Sequence, residues 1–365
     1  MKILNLIYKF STGGIGKCFL TYASLGDINK SINVVSACID VKNCNYDRKP
    51  LEEIGAHMIP IKNGYDLSWI SKTHKLILET NPDIIFCHGF NGPIVVQIIR
   101  WRYQIKIPMI CSYHGLYHAP TKTKKTIEKL INKAQTFIYR FYAKRVILVE
   151  NFSLKYLLNE KVPIEKLTVV HNGISDFKSP VKAVSLPNSY ISIGLASRID
   201  EVKGIDFLIK AIPTVIKSTD IPFKIYIIGD GPLENYLQNM CKELHVSDYV
   251  EFLGYQNNVH QWLAAWDIFV LPSLHEYHSI ALLEAMRAGK AIIATKVGGN
   301  EESVTDQKEA LTVPAKNSTA LANALLCLLK NKKLREELGK NARKRFLNEF
   351  TEDIMKQNLI RALIK

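Results

Sequence analysis

The sequence predicts an α/β protein built of two doubly wound, Rossmann-like domains. Three observations carry that prediction. Apolar runs of strand length alternate with longer stretches of helical period along the chain. The rhythm breaks once, near residue 180, at a polar stretch holding Pro180 and Pro187, and then restarts. The length of 365 residues suits two or three domains at ~100–200 residues each.

In chain order, residues 3–8, 32–37, 83–87, 109–113 and 146–149 read as strands, with helices at 66–79, 92–102 and 126–144 between them. After the break, 190–196, 223–228, 249–252, 268–271 and 291–294 read as strands. Helices are expected at 204–217, 233–244 and 279–288. The expected domains are therefore 1–178 and 179–348. The tail is helical, and its last segment, about 349–365, is placed to cross back onto the first domain. In this fold class ligands gather at the carboxyl ends of the strands, which predicts a ligand cleft between the domains.

Composition narrows the function classes. At 47% hydrophobic and 22% charged residues the chain is ordinary globular protein, not a disordered or collagenous one. No apolar run nears the ~18 residues of a membrane span, and the start of the chain is too short and polar-flanked for a signal peptide, so a cytoplasmic protein is expected. Seven cysteines without a Cys-x-x-Cys pair indicate neither a disulfide framework nor a zinc site. The net charge of +14 is uneven. Residues 1–180 hold 25 Lys and Arg against 13 Asp and Glu, and the rest of the chain is nearly balanced. The first half thus suits an anionic partner: nucleic acid, a membrane surface or a phosphorylated substrate.

Ser11-Thr-Gly-Gly-Ile-Gly-Lys17 follows the first strand and precedes a helix, where Gly13 and Gly14 would let backbone N–H groups approach a phosphate. It is not a P-loop, because Ser11 replaces the first glycine and Cys18 the magnesium-binding Ser or Thr. A plain strand-to-helix turn explains it equally well. In the second half, Arg198 and Lys203-Gly204 lie between a strand and a helix, pairing a planar bidentate cation with a compact one where a helix amino terminus favours anions. A diphosphate fits that pair. Gly229-Asp-Gly231-Pro, Glu276 with Glu284 eight residues on, and Gly298-Gly299 through Glu302 fall at the ends of further predicted strands. The two glutamates could also be a hydrolytic acid and base, but an eight-residue separation across a loop and helix fixes no carboxylate distance.

The ordered set Gly13-Gly14, His114-Gly115, Asn172-Gly173, Arg198…Lys203-Gly204, Gly229-Asp-Gly231-Pro, Phe252-Leu-Gly254, Pro272-Ser273…Glu276-x7-Glu284-Ala-Met and Gly298-Gly299-x-x-Glu302 resembles the retaining glycosyltransferases of family 4, which have the GT-B architecture. The resemblance spans nearly the whole chain. It implies transfer of a sugar from a nucleotide-diphosphate sugar, UDP-sugars first, to a glycan or lipid-linked acceptor in surface polysaccharide or glycolipid assembly. It further implies that Arg198 and Lys203 hold the diphosphate, Glu284 binds the ribose hydroxyls, and Glu276 and His114 reach the donor sugar. Gly13, Gly14, Gly229, Gly231, Gly254 and Ser279 then belong to the donor site. Front-side transfer is implied, with no cofactor and, for want of an Asp-x-Asp motif, no metal. Tyr277 stands where the family has glycine, and Ala310 near another such position. His88 and His118 read as structural or wall residues.

Two other classes compete. A sugar-nucleotide isomerase shares the architecture, and donor conversion without acceptor would reveal it. A basic nucleic-acid-binding protein is disfavoured, since the first half lacks a recognition-helix or aromatic-platform pattern. Within residues 121–145 eight basic side chains face one acid. There Ile127, Leu130, Ile131, Ala134, Ile138 and Phe141 form one apolar stripe, and Lys125, Lys129, Lys133, Arg140 and Lys144 fall on another face. The expectation is that the stripe packs on the domain's own sheet and leaves the basic face for an anionic membrane surface or acceptor, making the protein peripheral to the membrane.

Overall fold

The computed structural model describes residues 1–10, 13–41, 47–63, 65–116 and 125–364. Ser11, Thr12, Cys44, His118, Lys122 and Lys124 lie outside them, as does the side chain of Lys125. The described chain forms two compact units, Met1–Asn172 together with Asp353–Lys365, and Gly173–Glu352.

The first unit is a sheet of β1 (Lys2–Tyr8), β2 (Asn33–Val41), β3 (His57–Ile61), β4 (Ile84–His88), β5 (Met109–Tyr113), β6 (Ala143–Leu148) and β7 (Leu167–Val169). Their order is β3-β2-β1-β4-β5-β6-β7, every pair parallel. The central strands β4 and β5 are buried along their whole length, polar His88 and Ser112 included, as befits strands covered on both faces. Ile85, Cys87, Met109 and Cys111 point into one core layer, and Phe86 and Ile110 into the other. The helix Glu352–Ile364 completes that second layer, setting Met355, Leu359 and Leu363 against Ile3, Phe86 and Ile147. The Arg145 guanidinium donates to the Ala362 carbonyl, so this member of the basic stretch is used in packing.

The second unit repeats the plan with β8 (Ile191–Ala196), β9 (Phe223–Ile228), β10 (Val250–Gly254), β11 (Ile268–Leu271), β12 (Ala291–Thr295) and β13 (Leu311–Val313). The order is β10-β9-β8-β11-β12-β13, again all parallel. In both sheets strand order reverses beside the first strand, at β1/β4 and at β8/β11. A doubly wound sheet leaves a crevice at that point, because the helices on either side of it lie on opposite faces.

Two expectations are corrected. Lys144 belongs to β6, not to the preceding helix, which spans Lys125–Phe141. That helix also turns only part of its apolar stripe inward, Ile138 fully and Ile131 by half. Its buried side chains are Asn132, Gln135, Thr136, Ile138 and Tyr139, whereas Ile127 (51% exposed), Leu130 (63%) and Phe141 (54%) face water. Tyr139 anchors the inner face edge-on to Tyr113, and Thr136 satisfies its hydroxyl on the Asn132 carbonyl at 3.1 Å, so short polar groups are buried there without an unmet bond at Thr136. Among the described residues no helix is long and apolar enough to cross a membrane.

Candidate functional site

In the second unit the loops leaving β8, β9, β11 and β12 are stitched into one floor at the carboxyl edge. After β8, Ser197 N donates to the Ile228 carbonyl (3.0 Å) and Ile199 N to that of Asp230 (2.7 Å), joining it to the β9 loop. Gly229 has φ +132°, and a Cβ there would stand 1.8 Å from the Ser197 carbonyl oxygen. Only glycine lets these two loops touch. Leu274 N donates to Val202 O (2.7 Å), joining the β11 loop to the 3-10 turn Glu201–Lys203. Gly298 has φ +47° and would place a Cβ 1.9 Å from the Glu276 carbonyl oxygen, which fixes the β12 loop beneath Glu276.

On this floor Lys203 and Glu276 meet at the β8/β11 reversal, with Lys203 Nζ 2.6 Å from Glu276 Oε1. Ser273 Oγ donates to the same oxygen at 2.7 Å. Thr295 Oγ1 in turn donates to the Ser273 carbonyl at 2.6 Å, and Asn300 Nδ2 to the Thr295 carbonyl at 3.1 Å. The Glu276 carboxylate is thus oriented by a chain of bonds reaching back to the ends of β11 and β12. Arg198 differs. Its side chain is 76% exposed and paired with Asp200 at 3.0 Å, where water screens the pair. One cation is held in a nearly buried pair and the other in an exposed one that an anion from solvent can reach.

The remaining predicted residues are placed as follows. Ser279 caps the helix Ile280–Arg287, its oxygen accepting from Leu282 N at 3.4 Å. Glu284 lies half-buried one turn into that helix. Gly231 packs on Ile199, where a Cβ would stand 2.3 Å from the carbonyl oxygen. Gly254 ends β10 with its carbonyl accepting from Gly229 N at 2.9 Å and nothing within 4 Å of its Cβ position. Tyr277 sets its ring edge-on to His275 at 4.6 Å. Lys129, Lys133 and Arg140 are exposed on the helix Lys125–Phe141 of the first unit.

The first unit has a comparable edge of its own at β1/β4. Gly13 caps the helix Gly14–Ala23, and both glycines are exposed. His114, just past β5, holds Ser112 Oγ at 2.5 Å, and burial pushes its pKa down from 6.5 to about 4. It is therefore neutral at pH 7. His88 is fully buried, bonded through Nε2 to Asn5 Oδ1 at 2.6 Å, and held well below the ordinary range by that burial and by His114. Sequence reasoning missed Ser273, Asp200 and Asn5 as partners, although Ser273 stood inside the motif, three residues before Glu276.

The family model described as Glycosyl transferases group 1 matches residues 181–345, and the one described as Glycosyltransferase Family 4 matches 44–176. This chain belongs to the group 1 glycosyltransferases. Curated relatives include the N-acetyl-alpha-D-glucosaminyl L-malate synthase of Bacillus anthracis, 26% identical over 80% of this chain and 77% of that protein. Another is the Escherichia coli UDP-Gal:alpha-D-GlcNAc-diphosphoundecaprenol alpha-1,3-galactosyltransferase, 25% identical over 78% of this chain and 76% of the relative. Among solved structures, Anabaena HepE in complex with UDP-glucose superposes with a TM-score of 0.82, 19% identity, and cover of 100% of this chain and 99% of that one. The transferase accordingly has the two-domain α/β GT-B fold.

Proposed function

We propose that this glycosyltransferase moves a sugar, with retention of anomeric configuration and without a metal ion, from a UDP-sugar to a glycan or lipid-linked acceptor in surface polysaccharide or lipopolysaccharide assembly. The observation that carries the reading is that nearly buried Lys203 and exposed Arg198 both lie on the loop after β8, on the carboxyl-edge floor that also holds the oriented Glu276 carboxylate. The names of relatives and structural neighbours that act on or hold UDP-sugars support the donor class, and the diphosphoundecaprenol-linked substrate of one relative supports a lipid-linked acceptor.

In this reading Arg198 and Lys203 bind the donor diphosphate and Glu284 the ribose hydroxyls. The glycosidic bond breaks with its electron pair going to the diphosphate oxygen, whose growing charge the two cations stabilise. The acceptor oxygen bonds to the anomeric carbon from the same face, and its proton passes to the departing phosphate oxygen. Glu276 orients the sugar hydroxyls and holds Lys203 in place between turnovers. In the first unit, neutral His114 is assigned a hydrogen bond to the sugar, and Gly13 and Gly14 a close approach to phosphate. The basic excess of the first half supports a peripheral location against anionic membrane rather than nucleic acid, since a lipid-linked acceptor lies there.

The test is a panel of nucleotide-sugars screened by thermal shift, followed by transfer to acceptor with the product anomer read by proton NMR and a chelator arm alongside. Stabilisation by a UDP-sugar, a product of unchanged configuration and activity in chelator are expected. An inverted product, loss of activity with chelator, or conversion of donor without acceptor overturns the corresponding part.

A further inference from the structure

The outward face of the helix Lys125–Phe141 is not simply polar. At about 100° per residue, its outer half divides into two rows. Lys129, Lys133 and Arg140 form one, next to the buried face, and Ile127, Leu130, Ala134, Phe137 and Phe141 form the other. All of these are exposed, Phe137 at 48%. The apolar row runs on into a ring cluster. Phe137 meets Phe141 at 4.9 Å and Tyr142 at 5.9 Å, and Tyr142 meets Trp101 edge-on at 5.4 Å. Trp101 sits in the neighbouring helix Gly92–Tyr103 and is itself 55% exposed.

We propose that this face enters a lipid bilayer: the row from Ile127 to Phe141 with Trp101 sinks among the acyl chains near the headgroups, while Lys129, Lys133 and Arg140 stay at the level of anionic phosphates. Folding would otherwise leave this contiguous apolar face in water, although the same helix had apolar residues it could have turned inward. An interfacial helix has this division, with basic residues on one side and Phe and Leu on the other, and aromatic rings settle at the boundary. The 17-residue helix spans about 25 Å, suited to lying in the membrane plane. A second copy of the chain is the poorer occupant, because an antiparallel isologous pairing would bring the two basic rows together. The inference deepens the peripheral location proposed above, from attraction at a surface to insertion of named side chains.

The full chain is tested on vesicles of phosphatidylcholine with and without phosphatidylglycerol, some brominated along the acyl chain to quench tryptophan. Expected are binding to anionic vesicles, quenching that disappears in Trp101→Phe, and a binding loss of roughly twentyfold or more in Lys129→Glu/Lys133→Glu. Phe137→Ser/Phe141→Ser should bind at least tenfold more weakly while still transferring sugar to a water-soluble acceptor. Binding without quenching, or wild-type binding by the Phe137→Ser/Phe141→Ser variant, overturns insertion but leaves surface attraction standing. No binding to any vesicle overturns both. Self-association without lipid that this double variant abolishes overturns the proposal in favour of a second copy.

Discussion

Lys203 Nζ stands 2.6 Å from Glu276 Oε1 with both side chains mostly withdrawn from water, while Arg198, five residues earlier, meets Asp200 at 3.0 Å with three quarters of its side chain exposed. The two cations therefore serve the fold differently. Arg198→Ala should lower turnover by ~10²–10³ with an unchanged melting temperature, because it loses only charge stabilisation in the transition state. Lys203→Ala should lose as much rate and also ~1–3 kcal/mol of stability, since it strands a nearly buried carboxylate. Urea melts beside steady-state kinetics check this. Lys203→Ala/Glu276→Gln should recover part of the stability and none of the rate, and equal stability of the two single variants would contradict the account.

The two glutamates should part company under calorimetry. Glu276 is fixed by Ser273 and Lys203, whereas Glu284 lies half-buried one turn into the helix Ile280–Arg287. Glu284→Gln should weaken UDP binding and raise KM. Glu276→Gln should bind UDP within a few-fold of the parent yet lose transfer by ~10² or more, because its contact is with the sugar and the lost interaction forms fully only in the transition state. Titration with UDP and a transfer assay decide the matter, and matching behaviour of the two variants would refute the division of labour.

How far the sequence discloses all this depends on burial. Strands β4, β5, β9 and β11 are legible because covered strands read as largely apolar runs, interrupted here only at His88, Ser112 and Lys224. Of the four edge strands, β10 is read at 249–252 and the other three escape notice. His57–Ile61 carries Pro60 and a half-exposed pattern, and Leu167–Val169 and Leu311–Val313 have three residues each, too few for any period. Lys144 is misplaced because no Gly or Pro marks the passage from helix to strand at 141–143. In the site the charged residues announce themselves, but the glycines hide their work. Gly229 and Gly298 act by letting loops touch, a relation between distant segments that spacing cannot express. Periodicity likewise finds the apolar stripe at 127–141 without telling which face is covered. The answer turns on Asn132, Gln135 and Thr136 being acceptable inside.

Acid should loosen the first unit. Folding lowers the His114 pKa from 6.5 to about 4, and that of His88 lies well below 6.5 as well. Between about 4 and 6.5 the unfolded chain thus holds more protons than the folded one. Stability consequently rises with pH through that window, is complete above 6.5 and is progressively lost as pH falls towards 4. Melting temperatures measured from pH 4.5 to 7.5 should climb. The climb should flatten in His114→Gln and in His88→Asn, each of which retains a hydrogen-bonding side chain without a titrating ring, and an unaltered slope in both would remove these histidines as its source.

The loop glycines offer a test in which crowding and backbone strain are separated. Gly229 and Gly254 both have positive φ, +132° and +65°, but an added Cβ meets the Ser197 carbonyl oxygen at 1.8 Å in the first case and nothing within 4 Å in the second. Gly254→Ala should therefore cost only the left-handed backbone penalty, about 1–2 kcal/mol, and lower turnover less than Gly229→Ala does. Gly229→Ala must in addition push the loop 197–199 away from the β9 loop. Ser197 N→Ile228 O and Ile199 N→Asp230 O are the bonds put at risk, and Arg198 lies between them. The expected result is a larger stability loss than for Gly254→Ala together with a tenfold or greater fall in turnover, because a displacement of about 1 Å in a positioned group costs on the order of 10² in rate. Urea melts and kinetics on the two variants make the comparison, and a Gly229→Ala enzyme with normal turnover would show that the loop carrying Arg198 does not depend on this contact.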